Sequence, residues 1–437
     1  MNVLLIGNSA RAHALAEALT RSPQEVNLFS YLASRNPGVA GLSQKVEIGK
    51  YDDLAKVTQF AKDNNIDFAV IGPEAPLAAG VVDALEQVGI KSFGPNKELA
   101  QLETSKSFTR ELMNKYNIPG NARFKTFTSK QGIKEFMVEL DGQFVVKADG
   151  LHGGKGVKVV GDHLEGIEDG WEYAKQCIKE DGAVVIEEKF VGEEFSLQCI
   201  TDGQTVLATP PAQDHKRAYI NDQGPNTGGM GSYSDANHLL PFLTPEDVEA
   251  ALEITKKMVQ AIKEETGQFY KGVMYGGFIL TKEGVKLIEY NARFGDPEAQ
   301  NVLPILKTDF GEVCQRVIAG TLQELTLEFA NQATVCKYVV PEGYPDNPLK
   351  GEKIDVSGVP ANVKMYFAAV DQQADGSLIM SGSRAIAFVG VADTLAEAEK
   401  IAQQGVEAVR GKVFYREDIG TKDLIEKRVK HMVELRL

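Results

Sequence analysis

The sequence predicts a multidomain chain of mixed α/β and α+β class: an N-terminal parallel α/β domain, a small lobe carrying a glycine-rich hairpin, a larger lobe and a β-rich C-terminal domain. Three observations predict it. The first hundred residues alternate short β-branched runs with amphipathic stretches, a glycine cluster near residue 150 sits between two strand-like runs, and the last hundred residues are mostly strand-like. With 437 residues, 43% of them apolar and 25% charged, the chain has the composition of a globular protein and the length for several cores.

In the first part, expected over residues 1–103, Val3–Ile6 precedes an amphipathic stretch at Ala10–Thr20, Asp67–Ile71 precedes another at Ala75–Val88, and Ile90–Phe93 follows. Such βαβ units build a parallel sheet. Thr104-Ser105 then opens a helical pattern that stops at Tyr116, before Pro119, so a boundary falls near residue 103. The small lobe, 104–190, contains the strand-like Phe144–Ala148 and Val157–Val160 around the glycines, a helical stretch near Glu168–Lys179 and a strand at Ala183–Ile186. The larger lobe, 191–330, has a Pro/Gly-rich segment at Thr209–Gly231 and a long helix pattern through Pro245–Thr266. The last part, 331–437, holds one strong helix after Thr394, where Glu397 has capping-box spacing and Leu395, Ala398, Ala402, Val406 and Val409 share a face.

Forty-seven Lys and Arg against 61 Asp and Glu give a net charge of −14, which repels nucleic-acid backbones and anionic lipid. Neither nucleic acid nor a membrane is an expected partner. No apolar run approaches the roughly 20 residues of a bilayer span, and Met1 leads into Val3-Leu4-Leu5-Ile6 without a basic leader, so a cytoplasmic location is expected. Cys177, Cys199, Cys314 and Cys336 are far apart without CxxC spacing and are expected to be buried thiols.

Four segments carry chemistry. Gly7-Asn8-Ser9-Ala10-Arg11-Ala12 follows a strand and opens a helix, so its amides and the helix dipole could hold a phosphate. Ser9 and Ala12 stand where a dinucleotide fingerprint needs glycine, which disfavours an NAD-dependent oxidoreductase; a bare tight turn is the alternative. Asp149-Gly150-Leu151-His152-Gly153-Gly154-Lys155-Gly156 is no Walker A loop, since Gly156 replaces Ser/Thr and a strand follows. It reads as a flexible hairpin carrying Lys155, with Lys147 on the incoming strand, able to fold over a polyphosphate, or as an unliganded hairpin.

Met274–Leu280 and Val285–Asn291 form a hairpin whose second strand puts Glu289 and Asn291 on one face. A carboxylate and an amide oxygen so placed suit Mg²⁺, and the alternative is a solvated strand end. Arg293, Asp296 and Glu298 follow at once. Finally, Gln213-Asp214-His215-Lys216-Arg217 precedes Gly224-Pro225-Asn226-Thr227-Gly228-Gly229-Met230-Gly231, pairing positive charge with glycines that free backbone amides. An exposed loop with a solvated basic pair is the bland reading.

Together with Gly72-Pro73-Glu74-Ala75-Pro76-Leu77, Phe93-Gly94-Pro95 and Val146-Lys147-Ala148-Asp149-Gly150, these segments make the chain resemble, along its whole length, the phosphoribosylamine–glycine ligase family (glycinamide ribonucleotide synthetases). The resemblance implies an ATP-grasp architecture and the ligation of glycine to 5-phosphoribosylamine through glycyl phosphate, with ATP and Mg²⁺ or Mn²⁺, in purine synthesis. It implies Arg293, Lys147 and Lys155 as catalytic cations, Lys106 and Lys147 on the ATP phosphates, Glu187 to Phe190 at adenine, and Glu194 at the ribose. Glu289 and Asn291 would hold the metal. Phosphoribosylamine and glycine would meet Asn8, Ser9, Asp214, His215, Lys216, Arg217, Gly228, Gly229, Asp296, Pro297 and Glu298. A monomer is expected, with a transient contact to the enzyme that makes the labile amine. A catalytically silent nucleotide-binding relative is the competing class, against which Lys147, Glu289, Asn291 and Arg293 argue. The family's first turn usually reads Gly-Asn-Gly-Gly-Arg-Glu-His-Ala, whereas this chain has Ser9, Ala10 and Ala12 within it, while Arg11 and His13 remain.

Overall fold

A computed structural model describes residues 1–153 and 155–437; Gly154, part of the expected hairpin, lies outside the described residues. The chain begins with β1 (Asn2–Ile6), α1 (Ala10–Thr20), β2 (Asn27–Leu32), β3 (Lys45–Ile48), β4 (Phe68–Ile71) and β5 (Lys91–Phe93), and the strands form a parallel sheet in the order β3-β2-β1-β4-β5. Val3 to Ile6 are fully buried, as expected of a central parallel strand covered on both faces. Ser9 caps α1 by accepting the Ala12 N–H at 3.3 Å. The helix expected over Ala75–Val88 is instead two, Glu74–Ala79 and Val81–Gln87, because Gly80 between them takes φ +87°.

The small lobe follows α2 (Lys106–Lys115), whose cap Ser105 accepts the Phe108 N–H. Its sheet, ordered β6-β9-β7-β8, consists of β6 (Phe124–Phe127), β7 (Phe144–Ala148), β8 (Val157–Val159) and β9 (Val184–Glu188), with α3 (Ile167–Asp181) packed on it. Ile133, Phe136, Phe144, Val146, Ala174 and Ile186 give this lobe a core of its own, separate from the large core of the body and from a third in the C-terminal part around Ile354, Ile386 and Phe388.

Strands β10 (Gly192–Thr201) and β11 (Val206–Ala208) begin the large lobe. The Pro/Gly-rich segment is more ordered than its composition suggests, for it holds β12 (Gln213–Asp214), β13 (Arg217–Tyr219) and β14 (Gln223–Asn226) and ends in β15 (Gly231–Ser234). After the helix α4 (Pro245–Thr266), opened by a reciprocal Thr244–Asp247 capping box and stopped by Gly267 at φ +71°, come β16 (Gly272–Thr281) and β17 (Gly284–Asn291). The sheet order is β11-β10-β16-β17. In β17, Leu287 faces Phe278 and Glu289 faces Gly277, so Ile288 is the extra residue of a bulge.

The C-terminal part contributes β18 (Ala333–Pro341), β19 (Lys353–Asp355), β20 (Lys364–Phe367), β21 (Val370–Gln372), β22 (Leu378–Met380), β23 (Ile386–Ala392), the Thr394-capped α5 (Leu395–Glu407) and α6 (Lys422–Arg436). Its main sheet runs β12-β15-β18-β23-β20, so β12 and β15 of the preceding segment complete it. The four cysteines are free and buried. Among the described residues no helix is long and apolar enough to cross a membrane.

Candidate active site

The bulge in β17 positions the first half of the site. It leaves the Ile288 carbonyl outside the ladder, where Lys147 Nζ (2.7 Å) and Arg110 Nη2 (2.9 Å) donate to it. Both cations also reach Glu187: Arg110 Nε donates to Oε2 at 2.7 Å, and Lys147 makes a short ion pair. All three side chains are only 3% exposed, so the charges are buried but mutually compensated. Glu187, expected near adenine, therefore spends its side chain on holding Lys147 and Arg110. Phe190, just past β9, is half-buried, and Glu194 on β10 is 52% exposed and paired with Lys216 at 3.0 Å.

Glu289 and Asn291 share the face of β17 beside this cation cluster, and a narrow cleft is lined by Lys106, Arg110, Lys147 and Glu289. Among the described residues neither Glu289 nor Asn291 makes a side-chain hydrogen bond. Burial opposes ionisation of Glu289, but Lys106, Lys216, Lys147 and Arg293 outweigh it and hold the carboxyl below its ordinary value. Among the described residues no group of three or more His, Cys, Asp and Glu could hold a metal alone. A two-donor oxygen site is what a cation that completes its shell with phosphate and water requires.

Arg293 turns out to be held by two carboxylates, Glu74 at 3.2 Å and Glu103 at 2.9 Å. Glu74 is shared with Arg11, whose Nη1 donates to the Phe294 carbonyl at 2.7 Å. Although burial pushes the Glu74 carboxyl up, Arg293 and Arg11 bring it down to about 2. Lys106 Nζ donates to the Glu103 carbonyl at 3.0 Å, so it stands next to the same junction.

On the other side of Glu289 lies the segment after β11. Burial and Glu298 push the Asp214 carboxyl well above its usual range, and its buried Oδ1 has no hydrogen-bond partner among the described residues. Glu298 is 2% exposed and accepts Tyr275 Oη at 2.7 Å. A Cβ at Gly229 (φ +109°) would lie 2.6 Å from Asp214 Oδ1 and 2.7 Å from Pro297 Cδ, so only glycine lets the chain pass. The amides of Gly228, Gly229 and Met230 are already taken, by Tyr344 Oη, Thr227 Oγ1 and the His215 carbonyl, so these glycines serve close approach more than the donor role their sequence suggests. His215 is 2% exposed and held neutral, its pKa lowered to about 3 by burial and by Arg416 and Arg428. Arg217 donates to the Gly224 carbonyl at 2.9 Å and pairs with Asp162 of the small lobe at 3.4 Å.

The first turn meets this segment. Asn8 Oδ1 accepts Tyr51 Oη and its Nδ2 donates to Ser34 Oγ, both at 2.8 Å, while the Arg11 N–H reaches Asp296 at 3.4 Å. At the hairpin, Asp149 binds both Ser105 and Ser107 at the start of α2, His152 pairs with Asp181 at 2.9 Å, and Lys155 is exposed.

The site thus sets an oxygen pair against lysines on one side and a glycine-lined segment on the other. Family models described as phosphoribosylglycinamide synthetase match three stretches: the N domain over residues 1–103, the ATP-grasp (A) domain over 104–299 and the C domain over 334–422. The chain belongs to the phosphoribosylglycinamide synthetase family. It is 48% identical over 436 residues to phosphoribosylamine–glycine ligase of Methanosarcina barkeri and 50% identical over 446 residues to that of Methanocaldococcus jannaschii, with each chain covered in full. The crystal structure of phosphoribosylamine–glycine ligase from Thermotoga maritima superposes with a TM-score of 0.81 at 29% identity, covering 96% of this chain and 100% of that one. The biotin carboxylase domain of the 2-oxoglutarate carboxylase of Hydrogenobacter thermophilus, at TM-score 0.75 and 15% identity over 99% of this chain and 97% of that one, shares the fold.

Within this family site, four side chains escaped the sequence reading. Arg110 lies four residues after Lys106, a spacing that puts both on one side of α2 and could have drawn notice. Glu74 and Glu103 looked like parts of a turn and a helix end. Arg384, 88 residues from Asp296, donates to the Asp296 carbonyl at 2.9 Å, and nothing in Ser381-Gly382-Ser383-Arg384 announces it.

Proposed function

We propose that this chain joins glycine to 5-phosphoribosylamine at the expense of ATP, giving glycinamide ribonucleotide, ADP and phosphate. The observation that carries the reading is the Glu289–Asn291 oxygen pair, which among the described residues makes no side-chain hydrogen bond and lies beside Lys106, Lys147 and Lys216. A carboxylate is a poor electrophile, so the γ-phosphoryl group is first transferred to glycine, forming glycyl phosphate and ADP. Lys106 and Lys147 offset the charge on the transferring oxygens, and the glycine hairpin with Lys155 closes over them. Lys147 can do so because the Ile288 carbonyl and Glu187 fix its position. The donor set of Glu289 and Asn291 fits Mg²⁺ or Mn²⁺, which when bound there neutralises phosphate charge. Glu187 to Phe190 flank adenine, and Glu194 takes the ribose hydroxyls.

The amine nitrogen then attacks the acyl carbon, the bond to the phosphate oxygen breaks, phosphate leaves and the nitrogen loses a proton. Asp214, whose buried Oδ1 has no hydrogen-bond partner among the described residues, receives that proton. Asn8, Ser9, His215 to Arg217, Gly228, Gly229 and Asp296 to Glu298 shape the pocket for the phosphosugar. Arg293, clamped by Glu74 and Glu103, orients the phosphoryl group from a fixed position. We place the enzyme in the cytoplasm as a monomer, divided near residues 103, 190 and 330, receiving its labile amine by transient contact with the enzyme that makes it.

Glycine labelled with ¹⁸O in its carboxyl group tests the order of steps. One labelled oxygen should appear in the released phosphate for each amide formed, and unlabelled phosphate would rule out glycyl phosphate.

A further inference from the structure

Two stretches of the site that arrive from different parts of the chain, Gly228-Gly229 and Asp296, are fastened together by one side chain of the C-terminal part. Arg384 Nη1 donates to the Gly228 carbonyl at 2.6 Å, the Gly229 carbonyl at 3.1 Å and the Asp296 carbonyl at 2.9 Å, while Nη2 lies 3.3 Å from Asp296 Oδ1. The guanidinium stacks on the Tyr338 ring, 4.5 Å from its centroid, and Tyr338 Oη itself donates to Asp296 Oδ1. Gln300 Nε2 adds a bond to the same oxygen at 3.1 Å, and the other carboxylate oxygen faces the Arg11 N–H. Arg384 is 15% exposed and sits just before β23, with its own carbonyl accepting the Ala369 N–H. It is thus held by the C-terminal sheet while it holds the substrate segments.

We propose that Arg384 is a positioning residue for the amine substrate: its guanidinium sets the spacing between the Gly228-Gly229 turn and Asp296, and thereby the place from which the phosphosugar amine approaches activated glycine. This rests on the proposed ligation. A planar fork suits the task because it can serve three carbonyls and a carboxylate at once, which a lysine ammonium on a flexible stem cannot match. Asp214 and Gly229 pass each other at the limit of close contact, so a turn that relaxes by a few tenths of an ångström alters the amine pocket first. The ATP cations Lys106 and Lys147 belong to other elements and are untouched by Arg384 among the described residues.

Steady-state kinetics of the full chain test this with Arg384→Ala and Arg384→Lys. Wild-type activity establishes the ligation itself; if no glycinamide ribonucleotide forms, that reading fails before the inference is reached. Given an active wild type, Arg384→Ala should raise KM for phosphoribosylamine tenfold or more and leave KM for ATP and for glycine within about twofold. Added guanidinium ion should restore part of that loss while leaving the wild type unchanged. Arg384→Lys should fold, keep the charge and still show a raised amine KM. An unchanged amine KM in Arg384→Lys, or equal losses for all three substrates without guanidinium rescue, would overturn the proposal.

Discussion

Glu289 is held ionised by cations that gather from three elements: Lys106 on α2, Lys147 on β7 and Lys216 between β12 and β13. Replacing it by glutamine keeps the shape and removes the charge, so kcat should fall by about 10²-fold or more, while circular dichroism and the melting temperature stay close to wild type. Near-normal turnover would refute its role. The first turn leads to the opposite expectation. Ser9 has φ −86° and Ala10 is already helical, so neither position needs glycine for its backbone. Changing both to glycine should alter KM for phosphoribosylamine by less than tenfold, about 1.4 kcal/mol. The stability cost should be about 1 kcal/mol, since a cap and a helical alanine are lost. Denaturant titration and amine-dependent kinetics measure the two effects. At this scale the sequence showed the residues whose spacing on one strand or in one motif fixes their meaning, Glu289 and Asn291 above all. Arg110, Glu74, Glu103 and Arg384 acquire theirs only by approach in space, which no local pattern encodes.

Elements were legible where a local signal sufficed. Thr244-Pro245 and Gly267 bound α4 as capping chemistry requires, and Phe144–Ala148 is the strand its β-branched run implies. Two readings changed for physical reasons: Gly80 divides a helix, and the Pro/Gly-rich Thr209–Gly231 segment gains strands because β18 supplies β15 with a partner. Helix α1 adds a pH dependence. His13 is packed against Phe367 with ring centroids 5.8 Å apart, and its Nδ1 accepts the Phe367 N–H at 3.0 Å. Burial lowers its pKa to about 4, against the opposing pull of Glu17. The folded state therefore binds fewer protons than the unfolded state between the ordinary histidine value and pH 4. Stability is full above about pH 6.5 and falls as the pH drops to about 4, by about 3 kcal/mol for this residue. Urea midpoints measured across that window should decline on acidification, less steeply in His13→Gln. An equal slope in the variant would show that His13 is not the source.

The whole molecule divides the labour between a body and a lobe. The N-terminal sheet, the large lobe and one side of the C-terminal sheet share the largest core, the rest of the C-terminal part packs a second one beside Arg384 through Ala385 and Ile386, and the small lobe carries Lys147 on a core of its own. Separate cores permit the small lobe to move against the body, with the Arg217–Asp162 pair and the Lys147–Ile288 bond as links between them. This division explains why the order of domains could be read from alternation and composition while only part of the site could: its motifs are local, but the residues that hold them come from several layers. The most direct measurement of the account mixes the purified chain with ATP, glycine, Mg²⁺ and freshly generated phosphoribosylamine and identifies the products by mass spectrometry. One glycinamide ribonucleotide and one ADP should appear per phosphate, with no amide when any one substrate is left out; ATP cleaved without amide formation, or an amide formed without glycine, would contradict the ligation.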